Sequence, residues 1–290
     1  MSLAYLIRAH HRPKQLVRLV ERLTTPEASF VVHVSARTAD DIYASMREGL
    51  AGRDDVHWVP RVAAYYSGFS LVRSMLAGLE EVAAAGLPAH TVLLSGQDYP
   101  LRPAAEIQGF LAKRPGQSLV EHFPIPTERW PEEDGGLNRI RYRHFERIRF
   151  RTRILRVPGL RRSFPEGLRP WGGSAWCVLS DEAVRTLLAF SERRPDAYRF
   201  FRHVKTPDEI YLQTVLMNSS LRDRVVNEPV HHIEWVGGSH PLTFKSADFD
   251  RLSASGMPFA RKFDVEEDAE ILDRIDRELL AQKDEPAVTG

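Results

Sequence analysis

The chain has 290 residues, 43% hydrophobic and 27% charged, with a formal net charge of +1. That is enough apolar material for a large globular core, and too little net charge for a global field to favour nucleic acid. A single cysteine, Cys177, excludes an intramolecular disulfide framework.

Leu3-Ala4-Tyr5-Leu6-Ile7 reads as a short buried strand, too short for a signal h-region, and no apolar run approaches the ~20 residues a membrane span needs. The expectation is a cytoplasmic protein with no transmembrane segment, peripheral to a membrane only through a partner or substrate. After His10-His11-Arg12-Pro13 a helix runs from about Lys14 to Leu23, with Leu16, Leu19, Val20 and Leu23 on one face. Phe30 to Val34, Val56 to Val59 and Thr91 to Leu94 read as strands; Ala39 to Leu50, Ser70 to Ala85 and Ala104 to Lys113 read as helices. This alternation predicts an α/β domain with a mostly parallel central sheet flanked by helices. Ligands of such sheets collect beyond the carboxyl ends of the strands, where Arg8 to Arg12, His33-Val34-Ser35 and Ser95 to Asp98 fall.

The middle of the chain departs from this pattern. Between Asn138 and Arg162 lie Arg139, Arg141, Arg143, Arg147, Arg149, Arg151 and Arg153, with Tyr142, His144, Phe145 and Phe150 interleaved. The run reads either as a solvated face or as a wall for an anionic donor or acceptor. A nucleic-acid patch is disfavoured by the acidic balance elsewhere and by the absence of a known binding module. Regular structure resumes with a glycine turn feeding a strand at Gly172 to Leu179, and Ser180 caps a helix to about Ser191. A further helix is predicted from Thr206 to about Met217, and a charged amphipathic helix after Asp264 with a disordered end. The predicted organisation is one domain over 1–264 followed by a helix and tail over 265–290.

Several runs carry chemistry. Thr206-Pro207-Asp208-Glu209 reads as a capping box, with Thr at N-cap, Pro at N1 and Glu at N3, which needs no catalysis. A carboxylate fixed at a helix start is also a suitable station for a general base. Phe259-Ala260-Arg261-Lys262-Phe263-Asp264 places two cations between aromatics; if the aromatics are buried, the cations are held where a diphosphate would meet them. Asp248-Phe249-Asp250 matches a DxD metal pattern but lies far down the chain, and Asp98 lacks a second carboxylate, so no metal site is expected. His10-His11 and His231-His232 lack the i, i+4 spacing of a helical zinc site, and Cys177 sits in an apolar strand and reads as core.

Ser95-Gly96-Gln97-Asp98-Tyr99-Pro100-Leu101, Gly173-Ser174-Ala175-Trp176-Cys177-Val178-Leu179, Thr206-Pro207-Asp208-Glu209 and Phe259-Ala260-Arg261-Lys262-Phe263-Asp264 occur in this order. The set resembles the core-2/I-branching β-1,6-N-acetylglucosaminyltransferase family, glycosyltransferase family 14, which includes the protein xylosyltransferases. The resemblance implies a GT-A-type nucleotide-sugar transferase fold, a UDP-sugar donor, a glycan or glycoconjugate acceptor, inversion at the anomeric carbon, and no metal or other cofactor. It assigns the catalytic base to Glu209 and the diphosphate to Lys262. The family's second basic residue should fall near His231-His232; with histidines there, Arg261 or Lys245 is expected to substitute. The accompanying expectations are Arg8, His10 and His33 on the nucleotide, and Asp98, Trp176 and Asp208 on the sugar or acceptor, with Asp98 accepting from hydroxyls and Trp176 stacking. N-acetylglucosamine is the expected sugar. The alternatives are a xylosyltransferase using UDP-xylose and a non-catalytic nucleotide- or carbohydrate-binding protein of the same fold. His33-Val34-Ser35 stands where the family often has His-x-Asp, and Tyr66-Ser67-Gly68 where it often has Trp-Gly-Gly.

Overall fold

The structure, a computed structural model, describes residues 1–86, 88–130, 134–146, 155–237 and 240–281, with the backbone alone over 155–160. The central sheet is built on β1 (Leu3–Ala9), β2 (Ala28–Val34), β3 (Val56–Trp58) and β4 (His90–Ser95). These strands read as near-continuous apolar runs because both of their faces are covered. Leu3, Tyr5 and Ile7 point into one core with Phe30, Val32, Val92 and Leu94, whereas Ala4 and Leu6 point into a second with Val31 and Leu93.

The first core is closed by α1 (Pro13–Leu23) and α2 (Asp40–Gly49), the second by α3 (Ser70–Ala84). In α3, Gly78 faces Leu6, and a Cβ there would lie 2.3 Å from Leu6 Cδ1, so this glycine lets the helix seat closely on the sheet. Next in the chain come β5 (Asp98–Pro100), α4 (Ala104–Ala112), β6 (Ser118–Leu119), β7 (Phe123–Pro124), α5 (Leu137–Arg141), β8 (Tyr142–Phe145), β9 (Leu155–Arg161), β10 (Trp171–Gly172) and β11 (Val178–Ser180). They are followed by α6 (Asp181–Arg193), α7 (Pro195–Phe201), α8 (Tyr211–Met217), β12 (Val225–Val226), β13 (His231–Ile233), α9 (Phe249–Ala254), β14 (Phe259–Arg261) and α10 (Glu270–Ile275).

The seven-stranded sheet has the order β12-β6-β11-β4-β1-β2-β3, with β11 antiparallel to both its neighbours. The α/β class with a mostly parallel sheet is therefore as expected. A second, three-stranded sheet, β13-β14-β5, starts where β4 ends and was not anticipated. Ser180 caps α6 as expected, its Oγ accepting from Ala183 N at 3.3 Å.

Two expectations are corrected. Ile271, Leu272 and Ile275 of α10 are fully buried in the same core as β1, so the chain has no boundary at 264/265. The disordered end predicted for the tail falls on residues 282–290, outside the described residues. The capping box does not form. Thr206 takes a left-handed conformation at φ 50°, its side chain caps nothing, and Pro207–Glu209 form a single 3-10 turn ahead of α8. Instead, Thr206 N donates to Ser67 O at 2.9 Å, and Ser67 is itself left-handed at φ 60°. Two non-glycine residues in that region cost on the order of 1–3 kcal/mol each, strain of the kind that gathers at functional sites.

Candidate active site

The site lies where β1, β4 and β14 end and β5 begins. Asp98 begins β5 directly opposite Arg261 in the antiparallel β5–β14 ladder. That pairing brings Arg261 Nη1 to 3.0 Å from Asp98 Oδ1. Asp98 is 0% exposed and also accepts from Ser95 N at 2.9 Å, Ser95 Oγ at 2.5 Å and His231 Nε2 at 3.2 Å. Burial alone would raise its pKa, but Arg261, His231 and Ser95 outweigh it and hold the carboxyl below its ordinary range. Asp98 is thus not positioned to accept from a sugar hydroxyl as expected. It anchors Arg261.

Arg261 is 12% exposed and lies over the Trp176 ring, 4.0 Å from its centroid; Arg8, at the end of β1, lies over the same ring at 5.0 Å. The indole expected to stack on a sugar is therefore in contact with two guanidinium groups, a cation–π arrangement that fixes both. Burial lowers the pKa of Arg8 and of Arg261, opposed by Asp98 and Asp208. Lys262 follows Arg261, and its Nζ makes no hydrogen bond or ion pair among the described residues. Its flanking aromatics Phe259 and Phe263 are buried, which fixes the backbone that carries the two cations. His10 is an exposed residue close to these cations, and loss of bulk water together with His11, Arg261 and Lys262 pushes its pKa down to about 4.

His33 lies behind this surface. It is 2% exposed, and its Nε2 accepts from Val62 N at 3.0 Å, so it braces the segment after β3 rather than meeting a nucleotide. Of the candidate second cations, Lys245 is exposed and pairs with Glu267 at 3.6 Å, and His232 pairs with Glu234, which leaves Arg261 beside Lys262.

The other half of the site comes from the 3-10 turn. Glu209 Oε2 accepts from Arg139 Nη1 at 2.7 Å, with the Glu209 side chain 30% exposed. Arg139, at 3.8 Å over the Trp130 ring, is buried. The Glu209 backbone carbonyl accepts from Gly173 N at 2.9 Å, which requires a glycine: a Cβ there would lie 1.9 Å from Glu121 O. Asp208 joins the halves, since it interacts electrostatically with Arg8, Arg139 and Arg261. Its Oδ1 is buried without a hydrogen-bond partner, and loss of water raises its pKa against the pull of those arginines. Tyr66, 62% exposed, lies close enough to Glu209 and Asp208 for their charges to raise its pKa after burial.

Sequence reasoning missed the structural role of Arg139, which was one of many arginines in a basic run. It also missed the roles of Ser95, His231 and Tyr66, although each sat in a run already singled out. Cys177 is buried core, its thiol pushed up to about 12 by burial. Asp248 and Asp250 point to different partners, Arg251 and Arg274. No group of three or more His, Cys, Asp or Glu residues that could hold a metal ion occurs among the described residues. None of the described helices is long and apolar enough to cross a membrane.

Arg8, Arg139 and Arg261 thus gather around Asp208 beyond the carboxyl end of the parallel sheet, with Glu209 held on Arg139. The chain belongs to the Core-2/I-Branching enzyme family, whose model matches residues 3–255. Among curated proteins it is 27% identical over 95% of its length to xylosyltransferase 2 of Rattus norvegicus, 26% identical to xylosyltransferase 1 of the same species, and 25% identical to xylosyltransferase oxt of Drosophila melanogaster over 91% of its length. It covers 33%, 35% and 32% of those proteins, so the chain spans about a third of the length of the curated relatives it matches. A crystal structure of a Bacillus anthracis protein assigned as a glucose-1-phosphate thymidylyltransferase, in complex with a sucrose, aligns over 88% of this chain and 95% of that one, at 11% identity and a TM-score of 0.38.

Proposed function

We propose that the chain is a glycosyltransferase that moves a sugar from a UDP-sugar to a hydroxyl of a glycan or glycoconjugate by single displacement with inversion. The observation that carries this reading is the gathering of Arg8, Arg139 and Arg261 around one acidic residue, Asp208, with the neighbouring Glu209 held on Arg139 and Lys262 following Arg261 in the chain. The acceptor oxygen attacks the anomeric carbon, the bond from that carbon to the diphosphate oxygen breaks, and Glu209 takes the hydroxyl proton. Arg261 and Lys262 receive the charge that grows on the leaving diphosphate. Arg261, already fixed by Asp98 and Trp176, needs no reorganisation at that moment, which is where electrostatic catalysis is strongest. Arg8 and His10 lie toward the nucleotide. Asp208, with its unpartnered Oδ1, accepts from a hydroxyl of the transferred sugar or acceptor. In this reading the side chains of Arg261 and Lys262 do the work a divalent cation does elsewhere, so the reaction runs without metal.

The donor follows from two supports that differ. The motif resemblance points to N-acetylglucosamine. The relatives matched are named xylosyltransferases, which favours UDP-xylose. A donor screen scoring UDP release from UDP-xylose and UDP-N-acetylglucosamine with EDTA present tests both the reaction class and the sugar. Release from either donor without metal supports the proposal. Tight UDP binding with no turnover across an acceptor panel would favour a non-catalytic binding protein, and activity lost in EDTA but restored by Mn²⁺ would reject the metal-free mechanism.

A further inference from the structure

The arginine-rich run does more than supply Arg139. Between β8, the end of β9 and α7 lies a concavity of about 360 Å³ lined by Arg143, Arg162, Arg199, Phe200, Arg202 and His203. No carboxylate lines it, and none of its four arginines makes a salt bridge among the described residues. Arg162 forms the floor. Its Nη1 donates to Phe200 O at 2.9 Å, its Nη2 to His203 O at 3.1 Å and Ile140 O at 3.3 Å, and its guanidinium lies 3.9 Å from the centroid of the Phe200 ring. These contacts immobilise the group without neutralising it. Its Nε and His203 Nδ1 are both buried with no hydrogen-bond partner. Burial, and then the nearby Arg143, lower the Arg162 pKa to about 10.

Like charges gathered in one hollow repel, and the cost is largest for a cation held away from water. Elsewhere in this protein guanidinium groups meet carboxylates: Arg12 pairs with Asp264, Arg18 with Asp276 and Arg53 with Asp55. Here no carboxylate among the described residues supplies the counter-charge. A single carboxylate would leave most of the charge uncompensated, whereas a phosphate carries close to two negative charges and several acceptor oxygens suited to guanidinium forks.

We propose that this concavity is a phosphate-binding site for a phosphomonoester or diphosphate, and that it shares no residue with the Arg8, Arg261 and Lys262 group. Arg143, Arg199 and Arg202 grip the oxygens, and Arg162, fixed by its carbonyl contacts, adds its charge beneath them. The site stands whether or not the transferase reading holds, because none of its residues enters that reaction.

Inorganic pyrophosphate, titrated calorimetrically against the full chain, tests it. The wild type should bind, Lys262→Ala should retain binding at the arginine concavity, and the double variant Arg199→Ala/Arg202→Ala should weaken that binding by about 10–100-fold, the effect of losing charge-assisted hydrogen bonds. Both arginines are exposed, so the double variant should melt as the wild type does. Arg199→Lys/Arg202→Lys, which keeps the charge but loses the fork, should fall between the two. Pyrophosphate binding that is indifferent to the double alanine variant, or that disappears entirely in Lys262→Ala, would overturn the proposal. Sedimentation with phosphatidylcholine vesicles with and without phosphatidic acid identifies the source. Retention that needs phosphatidic acid and Arg199/Arg202 assigns the site to a lipid phosphate; pyrophosphate binding without vesicle retention assigns it to a soluble one.

Discussion

Arg139 Nη1 donates to Glu209 Oε2 at 2.7 Å across 70 residues of sequence. The guanidinium is stacked on Trp130, and the Arg139 backbone carbonyl accepts from Lys205 N at 3.0 Å, four residues before Glu209. The carboxylate is therefore set by a group that is itself held at side chain and backbone. If Glu209 is the base, Arg139 is its positioning residue. Arg139→Ala should lower kcat by about 10–100-fold, the scale of an ångström-sized misplacement, with the donor KM little changed. Arg139→Lys should recover part of the loss. Steady-state kinetics check this, and a donor KM that rises with kcat unchanged would place Arg139 in donor binding instead.

Asp98 has Arg261 and His231 as dependents, and its removal leaves an arginine only 12% exposed without its ion-pair partner. Asp98→Asn should destabilise the fold by about 3–5 kcal/mol, as breaking one side of a buried pair does, and should weaken UDP binding as Arg261 loosens. Urea unfolding monitored by circular dichroism measures the first and calorimetry the second. Stability within ~0.5 kcal/mol of wild type would show that the network carries little energy.

Gly173 lets the strand end pass against Glu121 and reach the Glu209 carbonyl. In Gly173→Ala the new methyl meets backbone rather than a movable side-chain end, so about 1–3 kcal/mol of stability should go, with activity falling further than stability as the 207–209 turn shifts. Thermal melting beside turnover checks this; an alanine variant with wild-type melting and rate would contradict it.

His33 has its pKa lowered to about 4, by burial first and then by Arg8 and Arg61. The folded protein therefore holds it neutral where the unfolded chain, titrating near 6.5, takes up a proton. Its contribution is fully present above about pH 6.5 and is lost as pH falls toward 4, up to about 3 kcal/mol in all. Denaturant midpoints between pH 7 and 4 should decline for the wild type and decline less for His33→Gln. Equal slopes would remove His33 as the cause.

The central strands were legible because burial on both faces writes itself as long apolar runs, as in Leu3 to Ile7 and Phe30 to Val34. What the sequence hid was made by distant partners. Thr206 looks like an N-cap, yet its backbone is taken by Ser67, 139 residues away, and local pattern loses to that contact. Asp98 looks like a sugar ligand because Arg261 and His231 reach it only once three short strands have paired, and strands of three residues carry too little periodicity to read. Arg139 is one arginine among many until Glu209 selects it. The motif around Arg261 and Lys262 was readable for a local reason: buried aromatics on either side fix the backbone that carries the two cations.

The central claim is that Glu209 is the base of a sugar transfer, and the most direct measurement is UDP release by Glu209→Gln beside wild type, with UDP affinity and melting temperature recorded for both. The account predicts that the variant folds, binds UDP as the wild type does, and loses about 10²–10⁴ in turnover, the usual contribution of a general base. An ordered Glu209→Gln protein with near-normal turnover would contradict it.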